Sequence, residues 1–228
     1  VKEVDTLSAK KLTKKQLKED TFITTMLRTW EYFRDNQNKF FMGLIAIVVI
    51  IAAFVWVSHS KKQTEETVLT QFSEALGAYR SGEVSTAIEI FKLISERHSS
   101  LKEGAYAAYF HGKCLLESGK NAEAVEAFDR YLENSNRHPF FRDAALSGKA
   151  VALENSRRYA EAADIYMELS AEIKTNSFME KKYLRRAAEN LKLSNRKEKA
   201  IDVMEKLLDL TSGVERRDIE VELELLRG

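Results

Sequence analysis

Between residues 68 and 214 the apolar positions recur in helical steps, and the steps themselves recur. A small residue is followed by Ser six positions on, by Ala six further and by a large apolar residue four beyond. The four copies are Ala75–Ser81–Ala87–Phe91, Gly112–Ser118–Ala124–Phe128, Ala150–Ser156–Ala162–Tyr166 and Ala188–Ser194–Ala200–Met204. They are offset by 37, 38 and 38 residues, a period that marks a stacked repeat array and not a single globular core. Leu115, Leu153 and Leu191 fall three residues after the small position, and Ile94, Tyr131, Leu169 and Leu207 three after the large one, each on the same helical face as its predecessor. Each copy therefore predicts one helix ending at the Ser and a second through the Ala, the copies starting near Val68, Ala105, Asp143 and Lys181.

The turns carry Ser81-Gly82, Ser118-Gly119, Ser156-Arg157 and Ser194-Asn195. Gly or Asn after a helix supplies the left-handed backbone that a tight C-cap needs, and Arg157 departs from that rule. Small side chains at two fixed points let antiparallel helices approach closely, and the large residue fills the space beside the next copy. A single helix pair has too little core of its own, which accounts for several in series. Beyond Gly213, VERRDIEVELELLRG predicts a final amphipathic helix, with Val214, Ile219 or Val221, and Leu225 placed to cover the open end of the stack.

Phe40–Val57 is a different element: FFMGLIAIVVIIAAFVWV, without one charged or strongly polar side chain. At 1.5 Å per residue it reaches roughly 27 Å, enough with its flanks for a hydrocarbon core of about 30 Å. Phe40, Phe41 and Trp56 stand at its edges, where aromatic rings favour the interface. A buried core helix does not need apolar residues on every face, and Trp56-Val57-Ser58-His59 does not resemble a small-x-small cleavage site. The segment reads as an uncleaved anchor. Residues 1–39 carry nine Lys/Arg against six Asp/Glu, whereas Lys61 and Lys62 after the span are offset by Glu65 and Glu66. That bias favours a cytoplasmic N-terminus and an exported C-terminal region.

Before the anchor, Thr13-x-x-Gln16 reads as a capping box, and Leu17, Ile23, Met26, Leu27, Trp30 and Phe33 recur at roughly helical spacing. The plainer reading is a helix running into the span with its apolar stripe on lipid headgroups; the sharper is a docking helix for a partner. Residues 1–10 are expected to be disordered. The expected organisation is a basic amphipathic segment (1–39), a transmembrane helix (40–57), a charged connector (58–67), four repeats (68–214) and a C-terminal capping helix (215–228).

Composition sharpens this. One proline, nine glycines and abundant Ala, Glu, Lys and Leu describe a nearly all-helical chain. A formal net charge of +1 gives no reason to expect nucleic-acid binding. The lone Cys114, in an apolar stretch, reads as a buried small hydrophobe. His59, His98, His111 and His138 lack ligand spacing, and there is no phosphate-cradling glycine loop, nucleophile elbow or paired-Cys site. No catalytic, metal or cofactor-binding residue is expected, nor a small-molecule substrate.

The small–turn–Ala–large order resembles the tetratricopeptide repeat over about residues 68–214, although no copy carries the family's early Trp and only Pro139 lies near its usual repeat-end Pro. The extra residues per period are expected in the turns Arg137–Phe140 and Thr175–Phe178. The resemblance implies an α-solenoid of about four helix pairs, so the expected fold is all-α: the single transmembrane helix, the solenoid and the capping helix. It also implies a concave face lined by the first helices of the pairs: Phe72, Leu76 and Tyr79; Tyr106, Tyr109 and Lys113; Ser147, Val151 and Glu154; Lys182, Arg185 and Lys192. Such a groove is aromatic at one end and basic at the other. The plainer reading is that these rings pack between repeats and the lysines solvate a face.

The whole layout, with Tyr32-Phe33-Arg34-Asp35-Asn36-Gln37-Asn38-Lys39 before the span and Ser58-His59-Ser60 after it, is similar to the bacterial YfgM-like proteins. That resemblance implies an inner-membrane, single-pass scaffold with periplasmic repeats, whose protein partners are the Sec translocon, periplasmic chaperones or their clients. The alternatives are a permanent accessory subunit of a larger membrane complex and a cytosolic receptor of reversed topology.

Overall fold

In the computed structural model, which describes residues 14–173 and 177–228, every regular element is helical. The expected capping residue Thr13, the segment 1–10 and most of the turn Thr175–Phe178 lie outside the described residues. The helices are α1 (Lys14–Asp35), α2 (Gln37–Arg80), α3 (Val84–Arg97), α4 (Lys102–Glu117), α5 (Asn121–Glu133), α6 (Arg142–Asn155), α7 (Tyr159–Glu172), α8 (Ser177–Leu193), α9 (Lys197–Asp209) and α10 (Gly213–Arg227). Residues 58–67, expected as a connector, are helical within α2. The chain divides into two units, Val1–Lys62 and Gln63–Gly228.

In the first unit, Asn36 separates α1 from α2. Its backbone N–H and its side-chain amide both donate to Tyr32 O, at 3.1 and 3.0 Å, and its carbonyl accepts from Lys39 and Phe40. The Phe33 and Phe40 rings stand 4.9 Å apart across this break. Phe22, Ile23, Met26, Leu27, Trp30 and Phe33 all remain exposed on α1. α2 contains an 18-residue window of mean hydropathy 2.9, none of it buried, and is the helix among the described residues long and apolar enough to cross a membrane.

In the second unit the four serine turns close with one hydrogen-bond pattern. The N–H groups of Glu83, Lys120, Arg158 and Arg196 each return five residues, to Ala78, Leu115, Leu153 and Leu191 O, at 2.9 Å. This is the Schellman closure, whose penultimate residue is left-handed. Gly82, Gly119, Arg157 and Asn195 take φ of 85°, 73°, 60° and 58°, so Arg157 adopts the conformation its side chain disfavours. The serines serve the same turn: Ser81, Ser118, Ser156 and Ser194 donate from Oγ to last-turn carbonyls of Ala78, Cys114, Ala152 and Asn190, at 3.0, 2.8, 2.8 and 2.8 Å. Each of these carbonyls also accepts a backbone N–H, so the hydroxyl adds a second bond at the helix end.

The repeated small and large positions form the core. Ala75, Ala150, Ala87, Ala124, Ala162 and Ala200 are fully buried, as are Phe91, Phe128, Tyr166 and Met204 within 2%. Two apolar clusters run along the array, one around Phe72, Phe91 and Ile94, the other from Ala105 to Leu223, with Ile88 and Tyr106 packed against both. Between α5 and α6, the extra residues form a short 3₁₀ turn at Pro139–Phe141.

At the far end, α10 does not present the expected set. Ile219 is buried, but Val214, Val221 and Leu225 are 73%, 61% and 79% exposed; Leu223 is buried in their place, with Leu226 partly covered. Both trios follow helical spacing, and α9 receives the one that carries Ile219 and Leu223. Ile219, Leu223 and Leu226 offer more apolar surface than two valines and a leucine, and on the flank of that stripe Glu215 and Glu222 meet basic residues of α8.

Candidate protein-binding groove

Most of the residues expected in the groove sit at the junctions between first helices and are engaged within the chain. Phe72 is buried, edge-on to Phe91 and Phe110 at 5.6 and 5.9 Å, and Leu76 packs on the same cluster. Tyr79 donates its hydroxyl to Glu117 at 2.8 Å, and Lys113 Nζ lies 5.2 Å above the Tyr79 ring. Burial and the Glu117 carboxylate hold the Tyr79 phenol above its ordinary pKa. One polar stitch thus joins α2 to α4.

The next junction is aromatic. Tyr109 stacks on Phe141 with ring centroids 4.4 Å apart and planes within 3°, and Tyr106 meets the same ring edge-on at 4.9 Å. Phe141 is held by Tyr131, a core residue of α5. The Tyr131 hydroxyl accepts from Phe141 N–H at 2.8 Å and donates to His138 O at 2.6 Å. Phe140, next to this latch, is 78% exposed. Phe110, Phe140 and Phe141 were not among the expected groove residues; for the last two the run Pro139-Phe140-Phe141 in a repeat-end turn was the available signal.

Further along, Glu154 takes the Asn190 amide and the Tyr166 hydroxyl, the latter at 3.1 Å, with Arg186 at 3.7 Å. Burial first, then this carboxylate, raises the Tyr166 pKa. Arg185 donates to Glu215 at 2.7 Å, and Lys192 pairs with Glu222. Ser147 and Val151 are half-buried and Lys182 is exposed. The basic end of the groove is therefore faced by acids of α10.

Two chemistry-bearing side chains, Cys114 and His111, are buried. Cys114 is fully buried, and burial, with Glu117 next, pushes its thiol up to about 11. His111 is 6% exposed, its Nδ1 buried without a hydrogen-bond partner. Burial, then the charges of Arg130, Lys92 and Lys120, lower its pKa to about 4, so the ring is neutral at pH 7. It lines a cleft of about 470 Å³ between α3 and α5. Among the described residues no three His, Cys, Asp or Glu side chains are grouped to hold a metal ion.

Residues 72–139 match the family model of the tetratricopeptide repeat. Among solved structures the chain is similar to the putative kinesin light chain nearly identical TPR-like repeats of Podosopora anserina, at 16% identity over 71% of this chain and 86% of that one, TM-score 0.52. It is similar also to the MamA RS-1 ArsTM double mutant, at 19% identity over 70% and 82%, TM-score 0.53. At such identities the likeness shows the fold: a tetratricopeptide-like α-solenoid. No curated protein matches the chain.

Proposed function

We propose that this chain, a tetratricopeptide-like solenoid, is a membrane-anchored scaffold for protein–protein interaction. The observation that carries the reading is α2, whose 18-residue apolar window has no protein cover. Large apolar side chains such as Ile50, Phe54 and Trp56, 67%, 72% and 73% exposed, are stable against hydrocarbon and costly in water. The excess of Lys and Arg before the span supports a cytoplasmic N-terminus and periplasmic repeats. In this reading the anchor sits in a bacterial inner membrane, and the array holds translocon subunits, chaperones or their clients. Repeat arrays of this kind work as scaffolds, without cofactor or chemistry, and the sealed Cys114 and His111 are consistent with that role.

Photo-crosslinking in intact membranes tests the reading, with the photoreactive residue at Phe140 or Phe178, both exposed on the array. Discrete adducts with translocon or chaperone subunits are expected. Robust recovery of a different complex, and none of these, sinks the partner assignment. Protease added to spheroplasts should digest the array; digestion only after the inner membrane is permeabilised refutes the periplasmic placement.

A further inference from the structure

The basic side of α8 is already occupied. Glu215 Oε1 accepts from Arg185 at 2.7 Å, its Oε2 lies 3.5 Å from Lys181 Nζ, and Glu222 takes Lys192. Glu215 and Glu222 are seven residues apart, about two helical turns, so their carboxylates stand on one side of α10. Ile219 and Leu223, both buried, lie along the same side. α10 thus offers α8 and α9 a stripe of two apolar side chains flanked by two carboxylates.

Two features set α10 apart from the helices inside the stack. Its anchorage is small: Ile219 and Leu223 are its buried residues, against five buried residues in each of α5, α6 and α7 and eight in α4. Its seat is also open. A cleft of about 440 Å³ remains between α8 and α10, lined by Phe178, Lys182, Arg186 and Glu215 among others, and Phe178 at its edge is 70% exposed. Basic side chains and an exposed ring together complement an acidic, apolar-striped helix.

We propose that this side of α8 is a binding site for an acidic amphipathic helix of a protein partner, and that α10 is the intrachain occupant such a helix displaces. The proposal rests on the reading of the array as a protein-binding surface. A tethered competitor lowers the apparent affinity for the partner, because only the fraction with α10 undocked can bind. The partner's signature is two carboxylates two turns apart on the side that carries its apolar residues.

The probe is a synthetic peptide of residues 212–228, titrated into the full chain in detergent micelles. E215Q/E222Q in the chain frees Lys181, Arg185 and Lys192 while keeping the shape of α10. It should bind the peptide at least tenfold more tightly than the wild type, and adding R185E/K192E should remove that gain. Ile219→Ala, which loosens α10 without changing charge, should also raise the affinity, and a peptide with Gln at both carboxylate positions should not bind. Hydrogen exchange in the α10 amides should be faster than in α9 and faster still with excess peptide. Equal affinity for wild type and E215Q/E222Q, or α10 protected as long as α9, overturns the proposal. Crosslinked partners recovered while α10 stays protected would leave the scaffold reading standing and remove this one alone.

Discussion

Gly148 and the ring of Phe128 are in contact so close that a Cβ on the glycine would lie 2.6 Å from the ring's Cζ. Gly112 meets another edge of the same ring, where a Cβ would come within 2.9 Å of Cδ1 and Cε1. The large residue of the second repeat is thus seated between α4 and α6 by the absence of two side-chain carbons. Gly148→Ala should lower stability by about 1–3 kcal/mol, the usual cost of overpacking, measured by urea denaturation. Gly77→Ala is the control: nothing lies within 4 Å of its added carbon, and the exchange should be neutral or stabilising by up to about 1 kcal/mol.

Arg157 holds φ at 60° in a turn whose first two counterparts are glycines. A left-handed residue with a Cβ costs about 1–2 kcal/mol, offset in part because glycine is freer in the unfolded chain. Arg157→Gly should therefore stabilise the array by roughly 0.5–1 kcal/mol. Gly119→Ala should destabilise it by a similar amount, and thermal melts of the two variants should move in opposite directions.

The Tyr131 hydroxyl satisfies two backbone groups of the repeat-end turn. Tyr131→Phe leaves Phe141 N–H and His138 O without that partner, at a cost of about 1–3 kcal/mol. The loss should concentrate in the turn, so amide exchange at Phe141 should quicken well before that of α4. Uniform acceleration across the array would contradict a local latch.

His111 makes stability depend on pH in a stated direction. Its folded-state pKa of about 4 lies below the ordinary 6.5, so the unfolded chain binds the proton more tightly. The contribution is fully present above pH 6.5 and is lost as pH falls from there through about 4. Between pH 7 and pH 5 the wild type should lose about 2 kcal/mol more than His111→Gln. Parallel pH profiles for the two proteins would refute the buried neutral imidazole.

The spacing of small and large residues was legible because packing imposes it. Ala87, Phe91, Ala124 and Phe128 can only be where two helices meet, and all are buried. Gly148 was not legible, since its constraint comes from a ring on another helix and not from its own repeat position. Arg157 looked like an exception to the turn rule, yet the turn is left-handed there too and closes with the same hydrogen bond, from Arg158 N–H to Leu153 O. On α10 periodicity allowed two apolar stripes, and the one that carries Ile219 and Leu223 has more apolar surface to bury and places Glu215 and Glu222 against α8.

The groove was half legible. That Arg185 and Lys192 would face one way was readable, but not that acids thirty residues later would meet them, since this depends on how α10 is rotated over α8. Tyr106 and Tyr109 were visible as aromatics on a first helix. Their partner Phe141 was hidden in a turn, where no helical spacing announces which side chain folds back.

The contrast between the Tyr109–Phe141 stack and the α8–α10 ion pairs gives the array two junctions that answer differently to ionic strength. Added salt shortens the screening length from about 8 Å at 0.15 M to about 3 Å at 1 M. Half-exposed pairs such as Arg185–Glu215 weaken over that range, while an uncharged ring stack does not. The aromatic junction is thus indifferent to the electrolyte, and the acidic helix is held as tightly as the surrounding ions allow.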